Sequence, residues 1–315
     1  MPVGAQGSSF KLLVKQETTE NVQATGNFVQ LPCYTFDLAG SQDLQTDQIL
    51  SAGFGRDAAD PFLDVLNVQG GGRVPVDLVS TGYWLKFLLG SPVDTGTTDV
   101  THVFKSGSTA LPTFTAEKAF PDAGLFEDFT GVRANTLTMD LAPSGAADMT
   151  IGLMGVSAAV AGATIGGTPT IPALTRFLKA QGGITLDGAA LGRVTGGNLN
   201  FSNNMTPVRT IRSDNRLEGI DFGQATAGGQ LTLRLADTTL INKAVSNTPV
   251  ALAYSYVISA TKSLLFEFPR TFLSRPGIPV NGPSGVELPA SWQAAYDPTA
   301  GCLMRVTLKN QIATY

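Results

Sequence analysis

At 315 residues the chain is long enough for two domains with a full core each. Its 21 lysines and arginines against 25 aspartates and glutamates leave a net charge of −4, with no basic stripe of the kind that tight DNA or RNA binding requires. No basic start leads into an apolar run, no apolar stretch reaches bilayer length, and the two cysteines are unclustered, so a secretory leader, a membrane span and a disulfide framework are not expected. Charged residues make up only 15%, against about 25% in an ordinary soluble domain. With 35 glycines and 18 prolines, this predicts a turn-rich β protein much of whose surface is covered by other subunits.

Residues 1–28 read as an N-terminal arm with one short strand at 11–17, KLLVKQE, where Leu12, Leu13 and Val14 call for cover. Residues 29–155 are expected to form a first β domain, entered through NFVQLPCYTFDL at 27–38 with Tyr34, Phe36 and Leu38 on one face. A turn-rich loop follows at 52–71. Its Phe54, Arg56, Asp57, Asp60, Phe62 and Asp64 are candidate contact residues, because loops on a sheet scaffold tend to carry function. From residue 71, GGRVPVDL alternates apolar and polar positions as a half-buried strand does. After it Tyr83, Trp84, Phe87 and Leu88 fall at i, i+1, i+4 and i+5, one apolar stripe of a helix. Residues 101–120 read as a β-hairpin around SGSTALP, and 135–153 as a second hairpin around a proline turn. Residues 156–183 form a linker rich in small residues, with one short helical stretch at 174–180, LTRFLKA.

Residues 184–315, the expected second domain, run through the same parts again. A strand at 196–205 carries Leu199 and Phe201, and a shorter loop at 212–228 offers Asp214, Arg216, Glu218 and Asp221 as the second set of candidate contacts. Then GGQLTLRLADTTLINKAV repeats the strand-to-helix unit 157 positions on: Gly72 falls on Gly229, Val74 on Leu231, Trp84 on Ile241 and Lys86 on Lys243. At an offset of 155, Pro143 meets Pro298, Met149 meets Met304 and Ile151 meets Val306, which predicts a last hairpin over 291–308. Two anchors in the same order mark an internal duplication.

Chemistry is scarce. His102 is the only histidine, so every Ser-His, Cys-His or His-metal scheme must pass through it, and it sits in a strand pattern where a structural role is expected. No CxxC, HExxH, GxSxG or phosphate-binding loop is present, and the GGGR at 70–73 precedes a strand where a phosphate loop would open a helix. Asp57, Asp60 and Asp64 lack the alternating spacing of a calcium loop, and these, with Glu127 and Asp128, read as solvated loop charge. Trp84 and Trp292 fall on apolar stripes and read as core. No catalytic residue, cofactor or metal is expected.

The ordered set GGRVPVDLVSTGYWLKFLLGS (71–91), LPTFTAEKAFPD (111–122), FEDFTGVRANTLTMDLAPSGAADMTIGLMG (126–155) and GGQLTLRLADTTLINKAV (228–245) resembles the major tail tube proteins of long-tailed bacteriophages. The resemblance implies a mainly β protein with two tandem β-sandwich or barrel domains, each with a flanking helix. It implies rings whose sheets line a channel for viral DNA, stacked through a long loop and terminal arms, with an acidic lumen that DNA crosses without sticking. Tape-measure, terminator and distal tail proteins are the implied partners. The setting is the virion tail, assembled in the host cytoplasm, with no membrane. Most members carry one tube domain in a hexameric ring. Two domains here imply a trimeric ring of pseudo-six-fold symmetry, with a hexamer as the alternative. The rival readings are a tail terminator or distal tail ring protein, and a tandem β-sandwich module that binds glycans.

Overall fold

The computed structural model of the chain describes residues 4–49, 53, 55–235, 238–280, 282–283 and 285–315. Its longer strands fall in two runs. The first comprises β1 (Lys11–Gln16), β2 (Asn67–Pro75), β3 (Val100–Lys105), β4 (Phe114–Phe120), β5 (Leu125–Leu141), β6 (Asp148–Gly155) and β7 (Ser157–Ala161). The second comprises β8 (Gly182–Leu186), β9 (Val194–Ser202), β10 (Thr226–Arg234), β11 (Val250–Ser259), β12 (Lys262–Leu273), β13 (Glu287–Ala294) and β14 (Arg305–Asn310). Helices α1 (Ser80–Leu89) and α2 (Thr239–Val245) follow β2 and β10, so the protein is mainly β with a helix after the repeated strand in each half.

The recurring order of elements extends beyond the two stretches whose sequences resemble each other. Short strands Thr35–Phe36 and Ala39–Ser41 pair with β2 as β9 pairs with β10. Between the members of each pair the chain runs out into an arm closed by its own small antiparallel ladder, Leu44–Gln45 with Phe62–Leu63 and Thr206–Val208 with Gly219–Asp221. The order strand, arm, strand, helix therefore occurs twice. The glycine pairs at the heart of it serve close approach. A Cβ at Gly71 would stand 2.0 Å from the Ile151 carbonyl oxygen and one at Gly229 2.1 Å from that of Asn198, while Phe36 lies over Gly72 and Trp292 over Gly229. These glycines are inside the strands; the bend is at Gly70, with φ +144°. Asp77 starts α1, its Oδ1 accepting the Val79 and Ser80 N–H groups at 2.8 Å each, and the helix buries Trp84, Leu85, Phe87 and Leu88.

Strand pairing departs from the sequence expectation in several places. The predicted hairpin at 101–120 does not form: β3 pairs with Val93–Thr95 and β14, whereas β4 pairs with β1 and β5. The hairpin of β5 and β6 is present, but its predicted copy is not. Strands β13 and β14 lie end to end along one edge of β12, with Ala294 opposite Thr271 and Arg305 opposite Glu267. The proline turn between them is a tight excursion held by Asp297, whose Oδ1 accepts the Thr299 and Ala300 N–H groups. No edge of β13 was left for β14, because β10 occupies it from Glu287 to Gln293. Residues 27–38 break into short pieces at Pro32, leaving Tyr34 on the surface and Leu38 in the core. The expected helix at 174–180 does not form: only a single 3-10 turn, Lys179–Gln181, occurs at its end, and the chain before it runs extended at Leu178. Phe177 donates its N–H to Val76 O and accepts that of Ala147, both at 2.9 Å, and its ring is fully buried. Seven residues cannot sustain a free helix, and the apolar slot between 76 and 147 takes the ring. Strand β1 is built into the sheet between β4 and Val29–Leu31, which covers Leu12, Leu13 and Val14.

The halves are not separate bodies hydrogen-bonded only within themselves. β5 pairs with β9 from Thr136 opposite Ser202 to Leu141 opposite Gly197, and β14 pairs with β3 along its whole length. One apolar core runs through both, from Trp84, Phe87 and Phe114 to Tyr254, Phe268 and Trp292.

Candidate functional site

The register of six strands from β2 through β6, β5, β9 and β10 to β13 assembles one continuous face. Arg73 stands opposite Thr150, Thr150 opposite Thr138, Thr138 opposite Asn200, Asn200 opposite Gly228 and Gly228 opposite Gln293. A second row is Gly71, Gly152, Thr136, Ser202 and Thr226, and a third is Asp140, Asn198, Gln230 and Ser291. Alternation puts Ile151, Leu137, Met139, Leu199, Phe201, Leu231 and Trp292 on the other face, where all are buried. The outward side of this sheet is thus mostly threonine, serine, asparagine and glutamine, with Arg73 and Asp140 as the charged residues of these rows, and it crosses the junction of the halves without a break.

Charge on this face is sparse and largely neutralised. Arg73 Nε reaches Asp148 Oδ2 at 2.6 Å, and further along, Arg305 grips Glu267 through two bonds of 2.7 Å. Burial pushes the Asp148 carboxyl up, but the hydrogen bond from Arg73 and the charge of Lys179 outweigh it and hold the group below the usual carboxylate range. The wall is therefore polar and near neutral, not an acidic strip.

The candidate contact residues sit on the two arms. In the first, Arg56, Asp57, Asp60, Phe62 and Asp64 are all exposed, beside exposed Leu44, Ile49 and Leu63; Phe54 lies outside the described residues. In the second, Arg212 holds Asp214 through bonds of 2.9 and 3.0 Å and also reaches Glu218, while Arg216 contacts Asp214 at 2.8 Å. The hydrogen bond from Arg212 brings the Asp214 pKa down to about 2. Asp221 closes the ladder of this arm opposite Thr206. The base of the first arm meets the second arm: Leu66 donates its N–H to Asn215 O, in the loop beyond the second ladder, at 2.9 Å, and Val65 packs on a cluster with Leu217, Ile220, Met154 and Val156.

His102 is fully buried, its Nδ1 2.7 Å from Asp94 Oδ1 and its Nε2 3.0 Å from Asn310 Oδ1, with Tyr315 edge-on at 4.8 Å. Asn310 Nδ2 donates to Leu78 O at 2.7 Å, so the imidazole ties β3, β14 and the entry to α1 together. Trp84 and Trp292 are core, and both cysteines are free. Among the described residues no cluster of three or more His, Cys, Asp or Glu is placed to hold a metal, and no helix is long and apolar enough to cross a membrane. Glu127 and Asp128 are not loop residues. They lie in β5, where Glu127 pairs with Lys118 at 2.5 Å and Asp128 is buried.

Residues 7–294 match the sequence pattern of the family described as phage tail tube protein. The chain belongs to that family. A search of curated proteins finds no match. As a tail tube family member it is a β-sandwich structural component of a bacteriophage virion tail, and it self-assembles. Sequence patterning located the arms of this tube protein. It missed the wall, although the alternation in NTLTMD and NLNFSN was the available signal.

Proposed function

We propose that the chain polymerises as stacked rings into the tail tube and that the sheet face from Arg73 to Gln293 lines the channel through which viral DNA leaves. The observation that carries this is the unbroken neutral face spanning both halves. Uncharged hydroxyl and amide groups bind a water layer, and Arg73 is already paired with Asp148, so little cationic charge is left to neutralise phosphate and DNA passes without tight binding. A neutral lining does this as well as an acidic one.

In this reading residues 29–155 and 184–315 are two fused tube domains, with 1–28 as arm and 156–183 as linker, and the form is that of long-tailed phages. Three chains make a ring of pseudo-six-fold symmetry; six chains are the alternative. The doubled order of strand, arm, strand and helix supports the fusion. The arms, with Leu44, Phe62 and Leu63 exposed on the first and Ile211 on the second, reach the neighbouring ring. Open strand edges are completed by the next chain. Tape-measure, terminator and distal tail proteins meet the ends of the tube, and assembly takes place in the host cytoplasm. The reading involves no ligand, metal or turnover.

Negative-stain microscopy of the purified chain tests it. Long filaments are expected, with class averages down the axis showing three-fold symmetry. Discrete rings at every concentration would point instead to a terminator or distal ring protein.

A further inference from the structure

The two copies of the repeated helix have unequal surroundings. α1 is enclosed within its own chain, and much of the cover comes from the other half. Asn203 Nδ2 donates to Leu88 O at 2.9 Å, Lys86 Nζ donates to Tyr315 O at 2.6 Å, and the Tyr315 ring sits over Gly82 and edge-on to Tyr83 at 5.2 Å. α2 has no buried residue. Leu240 and Ala244 touch the core, while Ile241 and Val245, one turn apart, form an outward ridge on which Val245 is 57% exposed. Beside its first turn a cleft of about 350 Å³ is lined by leucines, among them Leu186, Leu233, Leu240 and Leu288, with Arg193 and Arg234 also on its wall.

From this difference we propose that the α2 ridge and the leucine-lined cleft form the contact between chains in the ring, and that the occupant is the first half of a second copy of this chain. The inference rests on the tube reading. In a ring of alternating first and second halves, each first half meets a second half inside its own chain, and each second half must meet the first half of the next. The inner junction is on the page: there a first-half helix is clasped by second-half residues. The outer junction has the matching helix with Ile241 half-buried and Val245 exposed. A single class of partner, the neighbouring copy, completes the alternation, and the charges beside this ridge are partly paired already, Lys243 with Asp187.

The test compares wild type with an I241E/V245E variant, both partly exposed positions at which glutamate leaves the fold intact by circular dichroism. The expected result is wild-type filaments and a variant that stays monomeric at tenfold higher concentration. Hydrogen exchange supplies a second readout without mutation: α2 amides should gain at least tenfold protection on assembly, while α1 amides are protected in both states. Variant filaments at the wild-type concentration, or α2 amides unchanged by assembly, would overturn this surface while leaving the tube reading in place. Wild type that never assembles would bring down both.

Discussion

Glu117 and Asp128 stand opposite each other on β4 and β5, two carboxylates on one covered face. Glu117 is satisfied from the overlying segment, accepting the Thr164 hydroxyl and the Ile165 N–H at 2.6 Å each. Burial, then the charge and hydrogen bond of Glu117, push the Asp128 carboxyl up to about 6. A carboxyl that holds its proton more tightly when folded favours folding at low pH. That contribution is fully present below its unfolded value near 4 and is lost as pH rises through about 6. A displacement of that size corresponds to roughly 2–3 kcal/mol between the two protonation states. Replacing the carboxyl by an amide removes the titration, so D128N should melt higher than wild type at pH 8 and about equally at pH 4. Thermal unfolding of both proteins across that range checks it, and parallel profiles would refute the assignment.

At the scale of elements, the tube reading assigns stacking to the arms. Leu44 and Phe62 are each more than half exposed, so L44D/F62D should leave the melting temperature within a degree or two and turn filaments into single rings by microscopy. The Arg212 ion pairs are screened by solvent, so R212A should leave global stability nearly unchanged. What the sequence made legible here is local. The switch from period 2 to period 3.6 at 71–88 and 228–245 marked both strand-to-helix units. What it hid is partner choice. Nothing within 291–308 reveals that β10 already holds the edge of β13, and nothing within 101–120 reveals that β3 belongs to β14. The polar sheet face was hidden for the same reason, since Thr138, Asn200 and Gln293 become neighbours only through the register of four strands. The arms could be picked out because turn residues and charge cluster along the chain itself.

At the scale of the whole molecule, the pairs β5 with β9 and β3 with β14 weld the two halves, so the chain should unfold in one calorimetric transition. Fragments 1–183 and 184–315 expressed apart should each fail to give a cooperative melt, because each would lose strands on which its core depends. Mixing them should restore folding if these cross-pairs suffice; two independent melts would refute the weld. The β3–β14 pair also orders events during synthesis. A ribosome that has released His102 must add 208 residues before Asn310 can reach it. Over that interval one border of β3 and one side of α1 lie bare, so a nascent chain presents no finished subunit surface, and polymerisation is deferred until translation has passed the strand that closes it.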